Sequence, residues 1–202
     1  MPRAAVPLIL ASSSPRRQEL LRQAGYCFQV RAGRVAEDAV DAGGPVAPYV
    51  ESLAYLKAMA AVDAHGLDAG LVLGADTAVE LQGAVIGKPA DAADARRILG
   101  RLAGSTHHVV TGLALVDVAA CRRHLAHETT AVRMKPMSDA EIAAYVASGE
   151  ALGKAGAYAL QETGDRYVEA IEGSYTNVVG LPMELLERML KAAGHDPRDF
   201  RE

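Results

Sequence analysis

Cysteine is nearly absent: Cys27 and Cys121 are the only two, far apart and outside any metal-ligand spacing. That excludes a disulfide framework, fits a reducing compartment, and makes both residues expected small members of the core. An excess of basic residues is also missing, since 21 Lys and Arg stand against 25 Asp and Glu for a formal net charge of -4. The bases are interspersed with acids, so no basic stripe of the kind that coats nucleic acid is expected, and any phosphate recognition has to be local. No apolar run approaches the length that spans a bilayer, and the first residues lack the charged start, long apolar stretch and small-residue cleavage site of a secretory signal. The expected partners therefore include no nucleic acid and no membrane, and the expected location is the cytoplasm. Repeats and linkers are missing too, so residues 1–202 read as one mixed α/β domain, in two lobes around a cleft. The histidines show no zinc spacing. His107 and His108 are adjacent in a predicted strand, which points their rings to opposite faces.

The most informative segment present is Leu8-Ile9-Leu10-Ala11-Ser12-Ser13-Ser14-Pro15-Arg16-Arg17. Its apolar start predicts a short buried strand. Ser14 before Pro15 suits an N-cap and a first helical position, because proline lacks the donor that is unpaired there. The helix is expected to reach Gln23 or Ala24, with Leu20, Leu21 and Ala24 on one face and Gly25 in the left-handed conformation beyond it. Backbone donors and the positive end of the helix dipole then face a turn of serine hydroxyls and two guanidinium groups, an arrangement suited to phosphate. Ordinary helix capping with solvated arginines uses the same residues, and the segment alone does not separate the two.

Further along, a strand is expected at Tyr26 to Val30, then a Gly, Ala and Asp-rich loop from Arg31 to Pro48 carrying Glu37, Asp38 and Asp41. The spacing of Val50, Leu53, Ala54, Lys57 and Ala58 predicts a helix from Pro48 to Ala64, with Gly66 near its end. Leu71 to Leu81 reads as a strand, Gln82-Gly83 as a tight turn and Ala84 to Ile86 as the returning strand. A helix opens at Asp91 with Ala95, Ile98, Leu99 and Leu102 on its apolar face. His107 to Val116 and Arg122 to Met134 pair as an antiparallel hairpin. Ser138-Asp139-Ala140-Glu141 is a capping box for a helix through Ser148, which Gly149 stops. A strand at Tyr167 to Ile171 and a helix from Pro182 complete the order.

Several residues in these elements suit chemistry. Asp76, in Gly74-Ala75-Asp76-Thr77, interrupts an apolar strand, so its carboxylate is either desolvated at a cost or faces a polar region with a cation. It is a metal ligand or general base on one reading and a carboxylate satisfied by local backbone donors on the other. Lys88, in Gly87-Lys88-Pro89, closes the hairpin that begins just after Asp76, and either returns toward the same region or is a solvated turn lysine. Glu37 sits in an acidic loop, and Lys57 on an amphipathic helix where snorkelling is the usual role. In Gly153-Lys154-Ala155-Gly156-Ala157-Tyr158-Ala159-Leu160-Gln161 the small residues permit close backbone approach, and Gln161 offers a donor and an acceptor to a base edge. A tightly packed turn is the alternative. Ile171-Glu172-Gly173-Ser174-Tyr175-Thr176-Asn177 is a polar loop suited to ligand or partner contact, or to helix entry alone.

Taken together and in order, Ser12-Ser13-Ser14-Pro15-Arg16-Arg17, Gly74-Ala75-Asp76-Thr77, Gly87-Lys88-Pro89, Gly153-Lys154-Ala155-Gly156-Ala157-Tyr158 and Gly173-Ser174-Tyr175-Thr176-Asn177-Val178-Val179-Gly180-Leu181-Pro182 resemble the Maf family of nucleoside triphosphate pyrophosphatases. The resemblance spans nearly the whole chain. It implies an α/β fold like that of inosine triphosphate pyrophosphatases, a mixed sheet in two lobes around a cleft, a divalent cation (Mg²⁺ or Mn²⁺), and a homodimer. It implies house-cleaning hydrolysis of a nucleoside triphosphate to a monophosphate and pyrophosphate, with dTTP, UTP and modified pyrimidine triphosphates as substrates. A purine triphosphate such as 7-methyl-GTP, or a nucleotide-binding regulator of septum formation with little turnover, are the alternatives. Carried over, Asp76 is the acid that binds metal and accepts the proton of water, and Glu37 helps hold the metal. Lys57 and Lys88 face phosphate, and Arg16 with Ser12, Ser14 and Arg17 clamps it. Thr77 and Gln161, with Arg16, bear on substrate choice, as does the stretch beginning at Lys154. The chain departs from the family pattern at Glu162, Gly164-Asp165 and Gly153, and at Arg34 and Ala36 before Glu37. These changes bear on base preference and on metal geometry.

Overall fold

Short apolar runs and one long alanine-rich helix dictate the architecture. In chain order the elements are β1 (Leu8–Leu10), α1 (Pro15–Gln23), β2 (Gln29–Val30), α2 (Val46–His65), β3 (Leu71–Leu81), β4 (Ala84–Ile86), α3 (Ala92–Leu102), β5 (Thr106–Asp117), β6 (Arg122–Met134), α4 (Asp139–Ala147), β7 (Val168–Glu172), α5 (Tyr175–Val179) and α6 (Met183–Ala192). This computed structural model describes residues 6–36, 43–160 and 163–201. The strands form one mixed sheet in the order β2-β1-β3-β5-β6-β7, with β4 paired to β3. The chain divides into two compact units, one of Met1–Asp76, Thr111–Glu128 and Gly180–Glu202, the other of Thr77–Val110 and Thr129–Val179. Strands β3, β5 and β6 contribute residues to both.

In the first unit β1 lies between two parallel neighbours, Leu10 aligning with Val30 of β2 and with Leu73 of β3. One face of this sheet carries Ile9, Val72, Ala114 and Val116, and α2 packs on it through Ala54, Ala58 and Ala61. Side chains of that size bring the helix backbone very near the sheet, and glycine is what the sheet then requires. A Cβ on Gly74 would stand 2.0 Å from the Ala54 carbonyl oxygen, and one on Gly112 2.5 Å from that of Val50. Gly33, in the loop after β2, meets the same helix, its Cβ position lying 2.3 Å from the Ala60 oxygen.

In the second unit the β3–β4 hairpin turns at Gln82 and Gly83, both with positive φ, as a tight two-residue reversal needs. Helix α3 is capped by Asp91, whose side chain accepts from the Asp94 amide. The predicted capping box is formed at α4, where Ser138 and Glu141 satisfy each other's backbone donors. Helix α3 packs against α4 and against the one-turn 3₁₀ segment Ala155–Ala157.

Four sequence expectations are corrected. Cys27 and Cys121 are both exposed instead of buried. Cys121 occupies a left-handed position in the β5–β6 turn, and Cys27 lies where the chain leaves α1, its amide donating to the Phe200 carbonyl at 2.7 Å. The strand expected from Tyr26 is only Gln29–Val30. Its first residues spend their backbone groups on the C-terminal segment, through a bridge from Tyr26 to Arg201. Ser14 and Pro15 do take the N-cap and first helical positions of α1, but the Ser14 side chain makes no capping hydrogen bond. Finally, the loop before α6 contains a short helix, α5, whose Asn177 amide donates to the Ser174 hydroxyl at 3.2 Å.

Candidate active site

Parallel pairing places the phosphate-type residues of the first unit at one end of the sheet. The Ala11 amide donates to the Leu73 carbonyl at 2.9 Å, and the Arg31 amide to the Leu10 carbonyl at 3.0 Å. Beyond those bonds β1 and β2 end, at the carboxyl side where open α/β sheets bind ligands, while β3 runs on as a strand. From β1 comes the Ser12–Arg17 turn, from β3 the continuation through Gly74 to Asp76, and from β2 the loop that leads to Glu37. Glu37 itself lies outside the described residues, as do Asp38 and Asp41.

The serine turn is held from within. Ser12 is buried, and its hydroxyl accepts from the Ser14 amide at 3.3 Å and from Arg17 Nη1 at 3.2 Å. Arg17 also donates through Nε to the Gly180 carbonyl at 2.8 Å, which ties the turn to the entry of α6. Arg16 differs from its neighbour: it is half-buried and makes no hydrogen bond or ion pair among the described residues. The two arginines that look alike in sequence thus divide, one fixing the turn and the other open to an anion near the N-terminus of α1.

Asp76 is 8% exposed and its Oδ1 accepts from Lys57 Nζ at 2.5 Å. The pair forms because α2 lies so close to β3. Lys57 is one turn from Ala54 and adjacent to Ala58, the two residues whose backbone crowds Gly74, two positions before Asp76. Enclosing a carboxylate costs free energy, which a partner of opposite sign offsets. Oδ2 makes no hydrogen bond among the described residues. No group of three or more His, Cys, Asp and Glu side chains assembles a metal cage among the described residues.

In the second unit, the Gly156 amide donates to the Gly87 carbonyl at 3.2 Å. This bond brings Gly87-Lys88-Pro89 alongside the Gly153–Tyr158 motif, and Lys88 and Lys154 onto neighbouring segments. Thr77, on β3, is half-buried. Gln161 and Glu162 lie outside the described residues. The polar Ser174–Asn177 stretch is largely internal: Asn177 is fully buried and donates to Val109 O and Thr130 Oγ1, both at 2.9 Å. Tyr175 alone of that stretch is exposed, and burial of part of its ring and the nearby Asp165 raise its pKa.

Sequence reasoning separated the two adjacent histidines correctly but missed what His107 does. Its ring is fully buried, with Nε2 2.8 Å from the Tyr158 hydroxyl, while His108 is exposed and faces Glu80. Burial, with a smaller contribution from His108, holds the His107 imidazole down at about 4 against an ordinary 6.5. The unfolded chain takes up a proton here below about pH 6.5 and the folded chain does not, so this group's contribution to stability is present above that pH. It is lost as pH falls toward about 4, to an extent of about 3 kcal/mol. Denaturant titrations across this window are expected to show that loss, and His107→Leu to flatten it; an unchanged slope would contradict the assignment.

The model of the Maf-like protein family matches residues 7–193. A dTTP/UTP pyrophosphatase of Symbiobacterium thermophilum is 49% identical, over 93% of this chain and 94% of its own. One of Pelotomaculum thermopropionicum is 46% identical over 94% and 97%, and one of Burkholderia pseudomallei 45% over 96% and 98%. Among solved structures, a HAM1 protein from Coxiella burnetii is similar over 93% of this chain and 99% of its own, at 18% identity and a TM-score of 0.49.

Proposed function

The chain belongs to the Maf family, and from that premise we propose that it hydrolyses nucleoside triphosphates, dTTP and UTP foremost, to the monophosphate and pyrophosphate. The observation that carries the proposal is Asp76, enclosed and held by Lys57 at the middle of β3, with the Ser12–Arg16 turn leaving the carboxyl end of the adjacent parallel strand.

The proposed chemistry draws on those positions. Water attacks the α-phosphorus and its proton passes to Asp76 Oδ2, the oxygen that Lys57 leaves open. A phosphorus–oxygen bond forms to water while the bond from the α-phosphorus to the bridging oxygen breaks. Pyrophosphate departs with that electron pair. Arg16 offsets the charge gained by the leaving group, and the α1 N-terminus with Ser12 and Ser14 offers donors to the phosphate oxygens. Arg17 keeps the turn in shape. Lys57, besides holding Asp76, adds positive charge toward phosphate, and the family resemblance implies phosphate-facing roles for Lys88 and Lys154. Thr77 and Gln161, with Arg16, set the choice of base.

Mg²⁺ and Mn²⁺ suit a site of one or two carboxylates completed by phosphate oxygens and water. Asp76, with Oδ2 open, fits that requirement, and Asp76 and Glu37 are the residues that would hold the ion. When bound, it supplies Lewis-acid polarisation of the phosphates and a more acidic water.

A panel of dTTP, UTP, CTP, GTP and 7-methyl-GTP with Mg²⁺ or Mn²⁺ tests the reading, dTTP and UTP being expected to give the highest kcat/KM. In the same assay Arg16→Ala is expected to lower kcat/KM by about a hundredfold, the cost of one charge-assisted phosphate contact. A flat panel, or an Arg16→Ala variant as active as the parent, would remove the phosphate clamp from the account.

A further inference from the structure

The turn that carries Lys154 is strained and yet closely held. Gly153, Gly156 and Ala157 all have positive φ, at 75°, 72° and 59°. Ala157 is the costly member, because a Cβ disfavours that conformation and such residues persist only where their surroundings over-determine them. Three contacts do so. The Gly156 amide bonds the Gly87 carbonyl at 3.2 Å. Gly156 is packed so tightly that a Cβ there would lie 2.9 Å from Val79 Cγ2 and 3.4 Å from Leu102 Cδ1. The residue directly after Ala157 is Tyr158, whose hydroxyl meets His107 Nε2 at 2.8 Å with the rings edge-to-face at 78°.

That last contact is built from groups the proposed chemistry does not use. His107 is wholly buried on β5, Tyr158 is 6% exposed, and the two are 51 positions apart in sequence. A generic core would place two apolar side chains here at less risk, since an enclosed imidazole has to stay neutral and its Nδ1 has no protein partner among the described residues. A hydrogen bond gives what apolar packing does not, a single fixed direction for the tyrosine ring and thus for the backbone before it.

We infer that His107 and Tyr158 are positioning residues for substrate binding: their hydrogen bond locks the 153–157 turn, and through Gly156 and Gly87 it sets Lys154 against Lys88 for the triphosphate. The inference rests on the pyrophosphatase reading for what the lysines bind, but not for the ordering of the turn. Neither residue touches substrate in this scheme. Loss of the bond therefore weakens binding and leaves the chemical step at Asp76 intact.

The test uses Tyr158→Phe, which removes one oxygen, with His107→Leu, His107→Gln and the double variant Tyr158→Phe/His107→Leu. Tyr158→Phe is expected to raise KM for dTTP about tenfold, the cost of one buried hydrogen bond, with kcat within about twofold. His107→Leu is expected to do the same, and the double variant no more, because both remove one interaction. His107→Gln, which places an amide near the Nε2 position, is expected to recover most of the KM. Hydrogen exchange is read alongside, with the Gly156 and Ala157 amides expected to exchange faster in Tyr158→Phe while those of β3 and β5 do not change. An unchanged KM, additive effects, a fall in kcat alone, or faster exchange throughout the protein would each overturn the inference. If the parent protein fails to turn over dTTP and UTP, the pyrophosphatase reading falls, and the exchange pattern still decides whether the pair orders the turn.

Discussion

Asp76→Asn is expected to reduce pyrophosphate release by about a thousandfold or more, the combined loss of a positioned base and of a carboxylate for the metal. The substitution keeps the shape of the side chain and an oxygen for Lys57 Nζ, now 2.5 Å from Oδ1. It removes the charge that the enclosed ammonium faces and the basicity that the attacking water needs. The variant is expected to fold, with a circular dichroism spectrum like that of the parent. Stopped or continuous assays of pyrophosphate from dTTP check it, and a folded variant with more than a tenth of the parent rate would remove Asp76 from the mechanism.

Gly74→Ala is expected to have the largest effect on stability, about 3 kcal/mol or more, because the new methyl has nowhere to go. It would meet the Ala54 oxygen at 2.0 Å and the Ala58 nitrogen at 3.0 Å, and both belong to the backbone of α2, which gives way only by moving the helix. Moving it separates Lys57 from Asp76, so activity is expected to fall along with stability. Gly100→Ala is the control. It sits on α3 with nothing within 4 Å of its Cβ position, and it is expected to stabilise by about 0.5–1 kcal/mol through helix propensity alone. Equal urea midpoints for Gly74→Ala and the parent would show that the contact between α2 and β3 is looser than described.

Legibility followed the range of the interactions. Elements governed by local chemistry read directly from sequence: β3 with its Gln82-Gly83 turn, β6 with the bounds Arg122–Met134, and the capping box of α4. The short strand β2 was misjudged because Tyr26 and Cys27 are claimed by residues near the far end of the chain. Helix α5 had a local signal, a serine hydroxyl three residues before Asn177, that its polar composition obscured. Within the site, the chemical types were visible, and the arrangement was not. Nothing in the run Ser14-Pro15-Arg16-Arg17 says that Arg17 reaches Gly180 while Arg16 stays open. Gly74 reads as a weak point in a strand until Ala54 is placed over it, and His107 reads as a strand histidine until Tyr158 is brought to it.

Product identity tests the central claim most directly. Purified protein incubated with dTTP and Mg²⁺, its products separated by anion-exchange chromatography, is expected to give dTMP and pyrophosphate in equal amounts, with no dTDP and no orthophosphate. With Asp76→Asn in place of the parent, both products are expected to disappear together. Release of dTDP with orthophosphate, or intact dTTP after prolonged incubation with either Mg²⁺ or Mn²⁺, would contradict the account.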